Sequence, residues 1–259
     1  MKQTPVKQDI VVVMMLLGIS APAFSAPAID FTNLGSYSTF NAGQHDTATV
    51  DGVQIDGFVY TGGTSFVQDR GYLWLRNNTD DHGFGYCSAG ESCGAANTTG
   101  NGDANELSNE SRKTEIIRLT RPSGESWSNI WVSSLDSGGT NNNETGTFYW
   151  SNSATPNLST MTGITFSHGQ LAGADEASIY AYLMAHGFND VNANYLFFRA
   201  GSYDTFGHAL NGTNNDYLVW GVNVAAVPEP EIYVMMGIGL ALMILVARRK
   251  REPQDCAAI

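Results

Sequence analysis

Seven short runs of alternating or continuous apolar residues, at 50–60, 71–75, 115–119, 128–134, 145–150, 195–199 and 216–224, are parted by stretches dense in Asn, Gly, Ser and Thr. Apolar residues recurring every second position suit the two faces of a strand, and the residues between them are those that turns require. The 28 Gly and the low charged fraction of 15% fit the same reading, because short strands joined by tight turns use Gly where helices do not. The expected fold class is therefore all-β, a β-sandwich or jelly roll. Residues 26–226, roughly 200 in number, suit one such domain better than two.

Two segments carry more specific expectations. In 216–224, strict alternation places Leu218, Trp220, Val222 and Val224 on one face and Tyr217, Val219, Gly221 and Asn223 on the other. In 175–184, Ile179, Tyr182, Leu183 and His186 fall at helical spacing ahead of Gly187, so a short helix is expected there.

The ends of the chain differ in kind from its middle. Lys2 and Lys7 precede an apolar run at 10–19, followed by Ser20-Ala21-Pro22-Ala23-Phe24-Ser25-Ala26. A basic segment, a short apolar core and small residues form the order of a secretory signal, and the core is too short to span a bilayer. Residues 1–25 are read as that signal, with cleavage after Ser25, or alternatively after Ala23 or Ala28. At the other end, 232–247 holds 16 residues without a charge. As a helix it would be about 24 Å long, close to the hydrocarbon thickness once flanking residues contribute. Arg248, Arg249, Lys250 and Arg251 follow directly and cannot cross cheaply, which holds that side in the cytoplasm. The domain between would then face away from the cytoplasm.

Val227-Pro228-Glu229-Pro230, one hydrophobic helix and an Arg-rich cluster, in that order over 227–251, resemble the PEP-CTERM sorting signal of bacterial surface proteins. The resemblance implies that an exosortase recognises the Pro-Glu-Pro region and processes the chain there. It also implies a transient stay in the inner membrane, then a place at the cell surface or in an extracellular, exopolysaccharide-rich matrix or biofilm. Signal peptidase would act at the other end. The order Gly83-Phe84-Gly85-Tyr86-Cys87, Asp103-Ala104-Asn105-Glu106-Leu107-Ser108-Asn109 and Glu115-Ile116-Ile117-Arg118-Leu119 is similar to a layout recurrent in such proteins. Glu231 departs from the usual pattern, and a cytoplasmic tail, 252–259, extends past the basic cluster. That tail ends in Cys256-Ala257-Ala258-Ile259, which matches a prenylation box in outline; the plainer reading is a free thiol.

The exported middle is acidic, with 20 Asp and Glu between positions 26 and 227 against seven Lys and Arg. A phosphate backbone would be repelled, so no nucleic-acid partner is expected. Cys87 and Cys93 are the cysteines of this middle, and in an oxidising compartment the expectation is a disulfide closing a Gly-rich loop. A zinc site would need His82 and a distant fourth ligand as well. Asp103, Asn105 and Glu106 lie in the segment richest in side-chain oxygens and could contribute to a calcium site, although their spacing is not that of an EF-hand. The alternative is a solvated loop whose side chains cap its own backbone.

Trp127, Asn129 and Trp131 share one strand face if alternation is strict, with indoles about 13 Å apart, a platform on which sugar rings could stack. Burial in the core is the competing reading for aromatics of this size. The five His are scattered, and neither a His-Glu-x-x-His pair nor a Gly-x-Ser-x-Gly elbow occurs. The expected function is therefore non-enzymatic and without a cofactor of its own: a sorted surface or matrix protein. A secreted carbohydrate-binding module, calcium-stabilised and using the tryptophans on polysaccharide, is the alternative.

Overall fold

A computed structural model describes residues 26–34, 40, 42–77, 81–89, 106–109, 114–135, 144–171, 174, 176–201, 215–227, 236 and 238–244. The chain forms β1 (Ile29–Asp30), β2 (Thr47–Val50), β3 (Val53–Gly62), β4 (Ser65–Val67), β5 (Tyr72–Asn77), β6 (His82–Cys87) and β7 (Leu107–Ser108). It continues with β8 (Thr114–Thr120), β9 (Glu125–Ser133), β10 (Thr145–Ser151), β11 (Ile164–Ser167), β12 (Ala177–Ser178), β13 (Tyr195–Ala200) and β14 (Asp216–Ala226). The first sheet runs β12-β9-β14-β6-β5, with β1 and β7 also paired to β14. The second runs β11-β10-β13-β8-β3-β2, with β4 on β3. Every pairing is antiparallel, so the all-β expectation holds in a sandwich-like form.

Each of the seven apolar runs falls mainly in strand, with Gly71 and Ser134 just outside β5 and β9. The run at 50–60 is a hairpin: Val50 pairs with Val53 across Asp51 and Gly52. Their φ angles of 46° and 84° are both left-handed, as a two-residue turn matching strand twist demands. Between the sheets, Ile55, Val59, Ile117, Leu119, Phe148, Leu196 and Phe198 meet Leu73, Leu75, Phe84, Tyr86, Ile130, Val132, Val219 and Val222 in one buried cluster. Each such side chain contributes about 1.5–3 kcal/mol by leaving water.

A second, smaller cluster lies on the opposite face of the second sheet. Phe58, Tyr60, Ile116, Tyr149 and Phe197 pack with Leu158 and Met161 of the β10–β11 connection. Arg118 fastens this layer: its guanidinium donates twice to Asp56 Oδ2, at 2.8 and 3.2 Å, once to the Ala154 carbonyl at 2.9 Å, and lies 4.7 Å from the Phe58 ring centre.

The helix expected at 175–184 is shorter and later. It is α1 (Tyr180–Ala185), and Ala177–Ser178 before it are drawn into β12 by pairing with Val132 and Trp131. Asp175 lies outside the described residues.

The strict alternation expected of 216–224 also fails. The β9–β14 ladder has two register shifts: Trp220 is the extra residue in β14, and Ser128 the extra one in β9. Each shift reverses which parity faces inward. Tyr217, Val219 and Val222 consequently belong to the main core, with Val224 packed against it, whereas Leu218 and Trp220 do not.

The two ends of the sandwich differ. At one end lie the Asp51–Gly52 turn, residues 121–124 between β8 and β9, the start of β13 and the last residues of β14. This is the exit end, from which the chain leaves toward Pro228. The starts of β8, β10 and β14 and the end of β13 lie at the other end.

Candidate functional site

The far end concentrates buried acid. Glu106, Glu115 and Asp216 are all buried there, and Arg76 reaches in from β5 to ion-pair with both Glu106 and Asp81. The Ser134 hydroxyl donates to Glu106 Oε1 at 2.9 Å, and the Ser108 N–H to Glu115 Oε2 at 2.9 Å. Asn215 Oδ1 accepts from both the backbone and the hydroxyl of Thr145, at 3.0 and 2.8 Å. Burial, then repulsion by Asp216, pushes the Glu106 carboxyl well above the ordinary carboxylate range, outweighing the opposing pull of Arg76 and Ser134.

Glu106 is the one residue of the expected calcium set that is described, and its carboxylate is engaged by Arg76 and Ser134. Asp103 and Asn105 lie outside the described residues. Among the described residues, no three His, Cys, Asp or Glu side chains gather in a way that could hold a metal. Sequence reasoning had not singled out Arg76, Ser134 or Asp216. Arg76 and Glu106 are 30 positions apart, so no local spacing could have announced their pairing.

His82 stands beside this cluster, with Nε2 3.2 Å from Glu176 Oε1, Nδ1 3.2 Å from Asn77 Oδ1, and its ring 5.3 Å from that of Trp220. The Ser133 hydroxyl meets the main chain of His82, not its imidazole. The arrangement orders a strand end; it does not activate the hydroxyl.

The tryptophan platform expected on β9 does not form. Because Ser128 is the extra residue in the ladder, Trp127 turns inward with Ile130 and Val132, while Trp131 stays opposite Gly221 on the other parity. Both indoles are buried, at 1% and 3% exposure, and Trp127 Nε1 donates to the Ala193 carbonyl at 2.8 Å. Asn129 is half-buried and accepts from the Ser178 hydroxyl. The competing reading, core packing, accounts for Trp127.

Cys87 is buried at the end of β6; Cys93 lies outside the described residues.

Of the sorting segment, Val227 is described. Its N–H donates to the Gly124 carbonyl at 3.0 Å, one residue beyond the last ladder pair, Ala226 with Glu125. Pro228, Glu229, Pro230, Arg248, Arg249, Lys250 and Arg251 lie outside the described residues. Within the apolar run, residues 236 and 238–244 are helical, and Met236, Ile238, Leu240, Leu242, Met243 and Ile244 are all exposed. Among the described residues, no helix is long and apolar enough to cross a membrane. Comparisons with protein-family models, with curated proteins and with solved structures give no match for this chain.

Proposed function

We propose that this chain is an exported, non-catalytic surface or matrix protein whose C-terminal segment is a PEP-CTERM sorting signal. Signal peptidase removes residues 1–25; the apolar helix and Arg248–Arg251 cluster stop transfer in the inner membrane; an exosortase then processes the Pro228-Glu229-Pro230 region. The released domain joins the cell surface or exopolysaccharide. The carrying observation is the junction at Val227: among the described residues, the last hydrogen bond of the sandwich, Val227 N–H to Gly124, lies one residue before Pro228. A cut at or after Pro228 leaves every described strand intact. The exposed apolar side chains on several sides of helix 238–244 also support the reading, since a helix apolar all round needs lipid or another apolar surface.

A disulfide between Cys87 and Cys93 belongs to this proposal, because export supplies the oxidising compartment that it needs. The carbohydrate-binding alternative loses its named platform with the burial of Trp127 and Trp131.

The test is the intact mass of the protein recovered from cell surface or medium. Loss of both termini, with a new C-terminus between Val227 and Glu231 and a mass two hydrogens short for the cysteine pair, is expected. A reporter fused behind Ile259 that is active in the periplasm would overturn the topology.

A further inference from the structure

Both ends of the folded domain point the same way. β1 is antiparallel to β14, with Ile29 opposite Val222 and Asp30 opposite Gly221, so the chain reaches β1 from the end at which β14 departs. Ala28 N–H donates to Asn223 Oδ1 at 2.5 Å, which ties the entering chain to the departing strand. Phe31, fully buried just beyond β1, anchors the entering chain in the core. The same end carries the Asp51–Gly52 turn, 3.5 Å from the Pro122 ring at the position of a Cβ on Gly52, and the turn through Gly124 that holds Val227.

We infer that this exit end is a membrane-facing surface: the lipid bilayer entered by the C-terminal helix lies against the Asp51–Gly52 and Pro122–Gly124 turns, and the Glu106–Asp216 end is held away from it. The inference rests on the proposed crossing of the bilayer by 232–247. Only residues 228–231 separate Val227 from that run, and four extended residues reach at most about 14 Å. β3, ten residues long, starts beside the Asp51–Gly52 turn and spans about 30 Å to the other end. A tether half the height of the domain, with two prolines in it, does not allow the sandwich to invert over the membrane. Sorting by this route would thus present the acidic end outward before release, and the cut would fall in the narrow gap between the Gly124 turn and the lipid.

The experiment uses the full chain with Cys256→Ser, reconstituted in vesicles of phosphatidylethanolamine and phosphatidylglycerol that carry spin-labelled headgroups. A fluorophore is attached at Ser123→Cys, an exposed exit-end turn position, or at Thr64→Cys, an exposed position in the β3–β4 turn at the far end. Labelling of the chain without either added cysteine is subtracted. Several-fold stronger quenching at position 123 than at position 64 is expected, and cleavage at a protease site inserted after Val227 should abolish the difference. Equal quenching in a chain that floats with the vesicles overturns the orientation alone. A chain that does not float with them overturns the membrane reading and the orientation with it.

Discussion

The Val227 N–H donates to the Gly124 carbonyl at 3.0 Å, and this bond marks where the sandwich ends. Strand β14 is central in its sheet, held by β9 along Leu218–Ala226 and by β1 at Gly221 and Val222. A chain of residues 26–227 should therefore melt cooperatively, within a few degrees of a longer chain, since no described residue beyond Val227 lies in the ladder. Ending instead at Gly221 deletes buried Val222 and most of the pairing with β9. Loss of that one side chain alone removes about 1.5–3 kcal/mol, and its ladder bonds add to this. The shorter chain should lack a cooperative transition by circular dichroism; a normal melt would show that β14 is dispensable.

Trp127 and Ala193 are joined by an indole N–H to carbonyl bond of 2.8 Å inside the core. Replacing Trp127 with Ala empties a large buried volume and should destabilise the domain by about 3–5 kcal/mol. Trp127→Phe keeps much of the packing, and the Ala193 carbonyl still accepts from Arg121 Nε at 3.2 Å, so loss of the indole bond should cost only about 0.5–1.5 kcal/mol. Urea midpoints would measure both. If the Ala variant unfolded at the same midpoint as the parent, Trp127 would have to be at the surface.

What the sequence made legible is the set of strands, because period-two patterning and turn composition are local properties. Thus Glu115–Leu119 and Tyr195–Arg199 lie within β8 and β13. The faces of β9 and β14 were not legible, since one unpaired residue in either strand, Ser128 or Trp220, inverts everything on one side of it. A bulge is decided by the partner strand, which no single-strand pattern contains. Short β12 was hidden for a related reason: Ala177 and Ser178 are extended by pairing to β9, against a helical spacing that begins properly only at Ile179. Of the far-end cluster, Glu106 was visible as one oxygen donor among many, but its engagement by Arg76 depends on tertiary structure.

The Arg76–Glu106 pair should govern how stability depends on pH. In the folded chain Glu106 holds its proton to a pH well above the ordinary carboxylate value, so the folded state binds that proton more tightly than the unfolded state. At pH above the folded-state value the ionised, buried group carries its full penalty. Stability from this site then rises as pH falls through that value toward the ordinary carboxylate range, below which its contribution is constant. The difference in urea midpoint between the parent and Glu106→Gln should follow this course, shrinking or changing sign as the pH drops. Arg76→Met removes the countercharge from a nearly buried carboxylate and should cost about 3–5 kcal/mol at neutral pH, with much of the loss recovered in Arg76→Met combined with Glu106→Leu. A pH-independent difference for Glu106→Gln would remove the assigned role of burial and Asp216.

Gly57 faces the ring of Tyr86 so closely that a Cβ at position 57 would fall 2.1 Å from Cδ2 and 2.3 Å from Cε2. Tyr86 cannot swing aside: it is fully buried, and its hydroxyl reaches Asp69 at 3.4 Å. Gly57 is itself held in place, its N–H donating to the Asp46 carbonyl at 3.1 Å while β3 pairs with β8 on either side. The added methyl of Gly57→Ala must therefore push the two sheets apart or force Tyr86 off its rotamer, and overpacking of this kind costs about 1–3 kcal/mol or more. Gly57→Ala combined with Tyr86→Leu, which shortens the opposing ring, should recover part of that loss, giving a coupling energy that the two single variants do not predict by addition. Thermal melts of the four proteins would measure it. Strict additivity would mean that β3 and β6 do not meet at this point, and the packing of the two sheets given above would have to be redrawn.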